Sequence, residues 1–274
     1  PAKEAGIQSG DYIVKVNGES FGANQLEEAV AEIKGEPGTD VTLTVLRTEE
    51  GKTDSKEFDI KVSRADVNVD TIDDDILEIR DKKIGYIHIK AFDDITWQDF
   101  SDSYSKLMAQ DIDGLVLDVR NNPGGALDVV INIADNFLDE GVIVTTKDKN
   151  GKEVVEKSDA SASDIPMVIL QNENSASASE ILAGAMKDRG RAKVIGTQSF
   201  GKGVVQKVFN LDNGAGAKIT ISEYFTPNGT QINKVGVTPD IEVSSEEDLD
   251  LSKMDFKNDK QFVTALNELL KELD

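Results

Sequence analysis

Two short apolar runs, GLVLDV at 114–119 and PMVILQN at 166–172, each give way to a turn of small residues and then to a segment with helical apolar spacing. Runs this short and this apolar suit strands buried on both faces. Strand–turn–helix units in series build a parallel sheet covered by helices. Leu127, Val130, Ile131, Ala134 and Leu138 mark the first helix, and the second spans about 178–188. IGYIHIKAF (84–92), AKVIG (192–196), VVQKVFN (204–210) and AKITISEYF (217–225) read as further strands. Trp97, Phe100, Tyr104 and Leu107 lie on one helix face, and Phe262, Leu266, Leu269 and Leu270 on that of a terminal helix. The fold class is α/β, a layered domain over 83–274.

A smaller α/β module precedes it over 1–64. DYIVKVNGES (11–20) is a strand followed by an Asn-Gly turn, and Leu26, Ala29, Val30 and Ile33 form one helical stripe that Gly35 and Pro37-Gly38 end. VTLTVLR (41–47) and EFDIKVSR (57–64) pair as strands around a charged turn. Residues 65–82 are polar and acidic, with Asp73-Asp74-Asp75, and read as a connector at the domain boundary. This run and the one at 246–250 are taken as solvated surface or tail.

Composition narrows the chemistry. The 274 residues hold 30 Lys+Arg against 52 Asp+Glu, a net charge of −22, with no Cys and one His. Nucleic acid is excluded as a partner, because phosphate neutralisation needs surplus cations. Disulfides, thiolate nucleophiles and zinc fingers are excluded with cysteine, and one His cannot build a multi-histidine metal site. Asp148-Lys149-Asn150-Gly151 has the look of a calcium loop, but the other ligands are out of place and a hairpin turn fits better. No metal or cofactor is expected. No run reaches the ~18–20 apolar residues of a membrane span. The chain starts at Pro1 without Met and reads as a processed or trimmed product.

Ligands of α/β sheets sit beyond the carboxyl ends of the strands, at helix N-termini. One such turn is Arg120-Asn121-Asn122-Pro123-Gly124-Gly125. Its consecutive glycines either direct amides at an oxyanion or only serve a tight turn. The other holds Ser175-Ala176-Ser177-Ala178-Ser179-Glu180. In isolation that is a linker or a helix cap, but between a buried strand and a helix it resembles a nucleophile elbow. The single His88 alternates with Ile87 and Ile89 and is expected to be a solvated strand residue, so a lysine is the base to look for. Lys202 stands out between Gly201 and Gly203. A lysine acting as base near neutral pH must lose roughly three units from about 10.4, a cost of ~4 kcal/mol, which requires a buried site. Residues 196–202 also fit G-x-x-x-x-G-K, but Gly203 replaces the magnesium-binding Ser/Thr and a strand follows, against a nucleotide site.

PAKEAGIQSGDYIVKVNG, IGYIHIKAF, LDVRNNPGG, NSASASEILAGAMKD and GTQSFGKGVVQ, in that order, resemble the C-terminal processing peptidases, or tail-specific proteases. The resemblance spans nearly the whole chain. It implies a PDZ-like module and a ClpP/crotonase-like peptidase core with a Ser/Lys mechanism that needs no ATP. It also implies Ser177 as nucleophile, Lys202 as general base and Gln206 orienting that lysine. Ala178 and the Gly124-Gly125 turn would supply the oxyanion amides, and Asp188 a supporting role. Partners would be protein or peptide substrates with unstructured C-termini, in an extracytoplasmic compartment (periplasm, cell surface or medium), with a homo-oligomer left open.

Two points conflict with it. Four residues of straight strand would hold Lys202 and Gln206 ~13 Å apart, so a bend is expected at Gly203. In the module, the strand that would pair with a peptide is missing, so the groove along Leu26, Val30 and Ile33 is half built and expected to bind C-terminal peptides poorly. The alternative is a catalytically silent PDZ-type scaffold, against which the retention of both Ser177 and Lys202 argues.

Overall fold

The computed structural model describes residues 1–8, 10–22, 24–48, 54–66, 70–210, 216–244 and 256–274, with backbone only at 207–210 and 218. It divides into two compact units, Pro1–Val69 and Asp70–Asp274. The acidic run at 246–250 lies outside the described residues.

In the first unit, β1 (Tyr12–Val16), β2 (Glu19–Ser20), β3 (Asp40–Thr48) and β4 (Ser55–Ser63) form an antiparallel sheet ordered β2-β1-β3-β4. Asn17 and Gly18 both take positive φ, as the tight β1–β2 turn requires. Val16, Val41, Leu43, Val45, Ile60 and Val62 make the core, against which Ala29 and Ile33 of helix α1 (Leu26–Ile33) pack. Arg64 closes the end of α1 by donating to the carbonyls of Ile33 and Glu32. Leu26 and Val30 stay exposed.

The second unit opens on a strand where the sequence reads as a connector. β5 (Ile72–Ile79) pairs antiparallel with β6 (Lys82–Ile89). Its acidic residues find cations: Asp73 pairs with Lys90 at 2.7 Å, and Asp74 with Lys106 and Ser103. Ile72 and Ile76 pack on one core and Leu77 and Ile79 on another. The three aspartates obscured a pattern that those four apolar residues carry.

β7 (Gly114–Asp118) lies wholly buried and parallel to β6 and to β10 (Met167–Gln171). With β11 (Lys193–Gly196) and β14 (Ile241–Glu242) the sheet order is β14-β11-β10-β7-β6-β5. Leu115 and Leu117 face the core shared with α2 (Thr96–Met108), α3 (Leu127–Asp135) and α4 (Ala178–Asp188). Val116, Val168 and Leu170 face the other way, onto α5 (Lys260–Leu273). The strands are apolar on both faces because both faces are covered. His88 is therefore buried at 8% exposure instead of solvated: its face, shared with Tyr86, looks toward the α5 layer, and its Nε2 lies 3.1 Å from the Arg120 carbonyl oxygen.

A third sheet, ordered β12-β13-β8-β9, comprises β12 (Val204–Asn210), β13 (Gly216–Phe225), β8 (Gly141–Asp148) and β9 (Glu153–Ser158). Residues 148–151 make the β8–β9 hairpin turn. Asp148 accepts from the amides of Asn150 and Lys152, so its carboxylate serves the turn. Among the described residues no helix is long and apolar enough to cross a membrane.

A buried ionic cluster ties the end of β7 to α5. Arg120 contacts Asp118 at 2.6 Å through Nη2 and Asp259 at 2.7 Å through Nη1, and Tyr86 donates to Asp118 at 2.8 Å. The other oxygen of Asp259 caps α5 by accepting from Phe262 N–H. Burial pushes the Asp118 carboxyl up, but the charge and hydrogen bonds of Arg120 outweigh it and hold the group below its ordinary range. The unfolded chain then takes up that proton first. The stability due to Asp118 is complete above the unfolded value of about 3.9 and is lost as pH falls through the lower folded value. Urea unfolding followed by the fluorescence of Trp97, the sole tryptophan, is expected to lose stability below about pH 4. Asp118→Asn should make that loss shallower, and an equally steep loss would contradict the assignment.

Candidate active site

β7 and β10 end side by side, and the turns that follow them meet. Asn172 accepts from Asn121 N–H and donates to Asn121 Oδ1, at 2.9 and 2.8 Å. The Asn122 carbonyl accepts from Ala176 N–H and from Ser179 Oγ, both at 3.0 Å. Gly124 sits so close that a β-carbon on it would stand 2.7 Å from Ser177 Cβ and 3.0 Å from Ala178 N. Only glycine allows this approach.

The three serines of the second turn are not equivalent. Ser175 and Ser179 are buried, and their hydroxyls donate to the carbonyls of Val119 and Asn122. Ser177 is half-buried and reaches solvent. It caps α4 with φ 56° and ψ −111°, a conformation side-chain-bearing residues rarely adopt. That strained corner turns its side chain out at the positive end of the helix dipole. The Ala178 N–H beside it has no partner among the described residues.

The two amides of the glycine turn, one of which is expected to serve as a donor, are not equivalent. Gly124 is not a free donor, because its N–H goes to Asn122 Oδ1 at 2.8 Å. Gly125 is exposed, and its N–H has no partner among the described residues. Among the described residues the turn therefore leaves one free amide, that of Gly125, alongside that of Ala178.

One side chain joins the serine turn to the lysine loop. Glu180 is fully buried, and its Oε1 accepts from Ser199 Oγ at 2.6 Å and Gly201 N–H at 2.7 Å. Its Oε2 accepts from Ser177 N–H and Lys202 N–H, both at 2.8 Å. Sequence reasoning passed over Glu180, although Ser177-Ala178-Ser179-Glu180 carries the S-x-x-E capping-box signature. The same contacts dispose of a nucleotide loop. The Gly201 and Lys202 amides already hold a carboxylate, and β12 follows where a helix would be needed.

Lys202 itself departs from the expectation of a buried side chain. Its flanking glycines pack the backbone, a β-carbon on Gly203 falling 2.2 Å from Asn233 N, but the side chain is exposed. Among the described residues it makes no hydrogen bond or ion pair, to Ser177 or to Gln206. Gln206 is likewise exposed. β12 begins at Val204, so Lys202 lies outside the strand that carries Gln206, and the ladder with β13 has an extra β13 residue opposite Val205/Gln206. Asp188 lies eleven residues along α4 from Ser177, about 16 Å at 1.5 Å per residue, and accepts from Asn228 N–H at 2.9 Å. It secures a distant turn.

The profile of peptidase family S41 matches residues 83–243, more than half of the chain. The chain belongs to this family. A PDZ-domain profile matches residues 1–47. The carboxy-terminal-processing protease of Bartonella bacilliformis is 39% identical over 257 residues, covering 89% of this chain and 56% of the relative. The carboxyl-terminal-processing protease of a Picosynechococcus species is 39% identical over 270 residues, covering 97% and 64%. The chain thus spans roughly three fifths of the length of these curated relatives. Among solved structures, a photosystem II D1 C-terminal processing protease superposes with a TM-score of 0.60 at 30% identity, covering 89% of this chain and 65% of that one. A putative S41 protease from Bacteroides fragilis superposes at 0.64 over 100% of this chain and 76% of that one, and at 18% identity it speaks for the fold alone. The layered α/β architecture is that of S41 peptidases.

Proposed function

We propose that this chain is the peptidase part of a serine endopeptidase that cleaves extended C-terminal segments of proteins outside the cytoplasm, without ATP, through an acyl-enzyme on Ser177. The observation that carries this reading is the single buried carboxylate of Glu180, which accepts from the main chain of both Ser177 and Lys202. It fixes the serine corner and the lysine loop on one anchor. To complete the pair, the exposed Lys202 side chain must turn in toward Ser177 and be shielded from water there, for instance by the bound substrate.

Ser177 Oγ attacks the peptide carbonyl carbon while its proton passes to the amine of Lys202. The carbonyl oxygen takes the negative charge, between the Ala178 and Gly125 amides. Such donors are typically worth ~3–4 kcal/mol each in the transition state. As the C–N bond breaks, Lys202 returns the proton to the leaving amine. Water then attacks the ester, gives its proton to Lys202, and Ser177 Oγ recovers one. Gln206 would orient the lysine only after both side chains move. The α1 face, where Leu26 and Val30 are exposed and Ile33 packs on the core, would be half of a peptide groove and is expected to bind substrate C-termini poorly.

The test incubates an unfolded protein such as casein with wild type, Ser177→Ala and Lys202→Ala, without ATP. Cleavage by wild type alone is expected, with each variant down at least about a hundredfold. Cleavage retained by Ser177→Ala would overturn the assignment.

A further inference from the structure

We infer that Asn122 is a positioning residue of the oxyanion site: together with the Phe92 bridge, its side chain fixes the direction in which the Gly125 N–H points. The inference rests on the peptidase reading above and deepens it.

Asn122 is fully buried, and both polar atoms of its side chain have a partner. Its Nδ2 donates to the Ile89 carbonyl at the end of β6 at 2.8 Å, and its Oδ1 accepts from Gly124 N–H at 2.8 Å. Its own carbonyl accepts from Ala176 N–H and Ser179 Oγ, on either side of Ser177. One residue therefore joins a core strand, the glycine turn and the serine corner.

The geometry of the glycine turn follows from these bonds. Gly124 C=O and Gly125 N–H belong to one planar trans peptide and point in opposite directions. The oxygen accepts from Phe92 N–H at 3.0 Å, so the Gly125 N–H is turned away from Phe92. On the next residue, Ala126 N–H donates to the Phe92 carbonyl at 2.7 Å. What remains is the peptide before Gly124, whose N–H would be free to swing about a φ of 101° without a partner. Asn122 Oδ1 supplies that partner. The Phe92 bridge holds one side of this turn and Asn122 Oδ1 the other, so without that oxygen Gly124 can rotate about φ and tilt the peptide that carries the Gly125 N–H, while the strands and helices around it stay in place.

A donor aimed at developing charge acts in the transition state and contributes little to binding the uncleaved peptide. A merely structural role would lower stability and lose all binding together. The test measures casein cleavage, the affinity of an N-acetylated trialanine aldehyde, which forms a hemiacetal on serine, and that of the matching free acid. For Asn122→Ala, kcat is expected to fall about a hundredfold with KM within about threefold. Affinity for the aldehyde should fall by the same factor as kcat/KM, with that for the acid unchanged. Should Asn122→Ala not fold, Asn122→Leu, close in size and without the oxygen for Gly124, is measured instead, and the same split between aldehyde and acid is expected. A kcat within threefold of wild type in a folded variant, or parallel loss of aldehyde and acid binding, would overturn the inference. If wild type, with Ser177→Ala as blank, cleaves nothing, the peptidase reading falls and the inference with it. If wild type cleaves and Asn122→Ala cleaves as fast, the inference alone falls.

Discussion

Replacing Glu180 by glutamine is expected to cut cleavage at least a hundredfold while the protein still folds. The carboxylate accepts two bonds on each oxygen, three of them from main-chain amides that have no other partner among the described residues. A glutamine amide can accept at one end only. If its NH2 stands at the Oε2 position it faces the Ser177 and Lys202 amides, two donors it cannot satisfy. If it stands at the Oε1 position, Ser199 Oγ can turn to accept, but the Gly201 amide is left without a partner. Each unsatisfied buried donor costs about 1–3 kcal/mol, and bonds to an ionised group are stronger than neutral ones. Stability should fall by about 2–5 kcal/mol on that basis. The larger effect is on rate. A displacement of about 1 Å between reacting groups can cost about a hundredfold, and Glu180 fixes the main chain of both. Cleavage rate and thermal unfolding of Glu180→Gln measure the two effects together. A wild-type rate would show that Ser177 and Lys202 are held by something else.

Arg120→Met is expected to be the most destabilising single substitution in the core. It would leave the carboxylates of Asp118 and Asp259, 0% and 5% exposed, buried without their cation. Removing one partner of a buried ion pair typically costs ~3–5 kcal/mol, because the remaining charge is desolvated and unpaired. At about 2–4 °C per kcal/mol for a domain of this size, the midpoint of the second unit should fall by about 6–20 °C. Arg120→Lys should recover little of it. The guanidinium reaches Asp118 through Nε and Nη2 and Asp259 through Nη1 at once, and one ammonium cannot occupy both directions. Differential scanning calorimetry of the two variants decides this, and a midpoint within about 2 °C of wild type would contradict it.

The parts of this molecule legible in its sequence are those where one force dominates. β7 and β10 are continuous apolar runs because both faces of the sheet are covered, and α4 runs from Ala178 to Asp188 as its spacing predicts. β5 was hidden because Asp73, Asp74 and Asp75 carry the charge of a linker, and only the tertiary partners Lys90 and Lys106 make them strand residues. His88 was misplaced for a related reason. Alternation gives the face but not what covers it, and the cover is a helix 170 residues further on. In the site, the serine corner was legible as strand–turn–helix. Close packing around Gly201 and Gly203 constrains the backbone of Lys202 and not its side chain, which explains why a glycine-flanked lysine turned out exposed. Glu180 and Asn122 act through hydrogen bonds to distant main chain, and spacing along the sequence does not record those.

The most direct measurement of the central claim is to map by mass spectrometry where a fluorophosphonate probe attaches. Ser175, Ser177 and Ser179 lie within five residues, yet only Ser177 reaches solvent, so the adduct is expected on Ser177 alone. It should be lost or slowed at least about a hundredfold in Lys202→Ala, since the proton on Oγ then has no acceptor. An adduct on Ser175 or Ser179, or labelling of Ser177 at the wild-type rate without Lys202, would contradict the account.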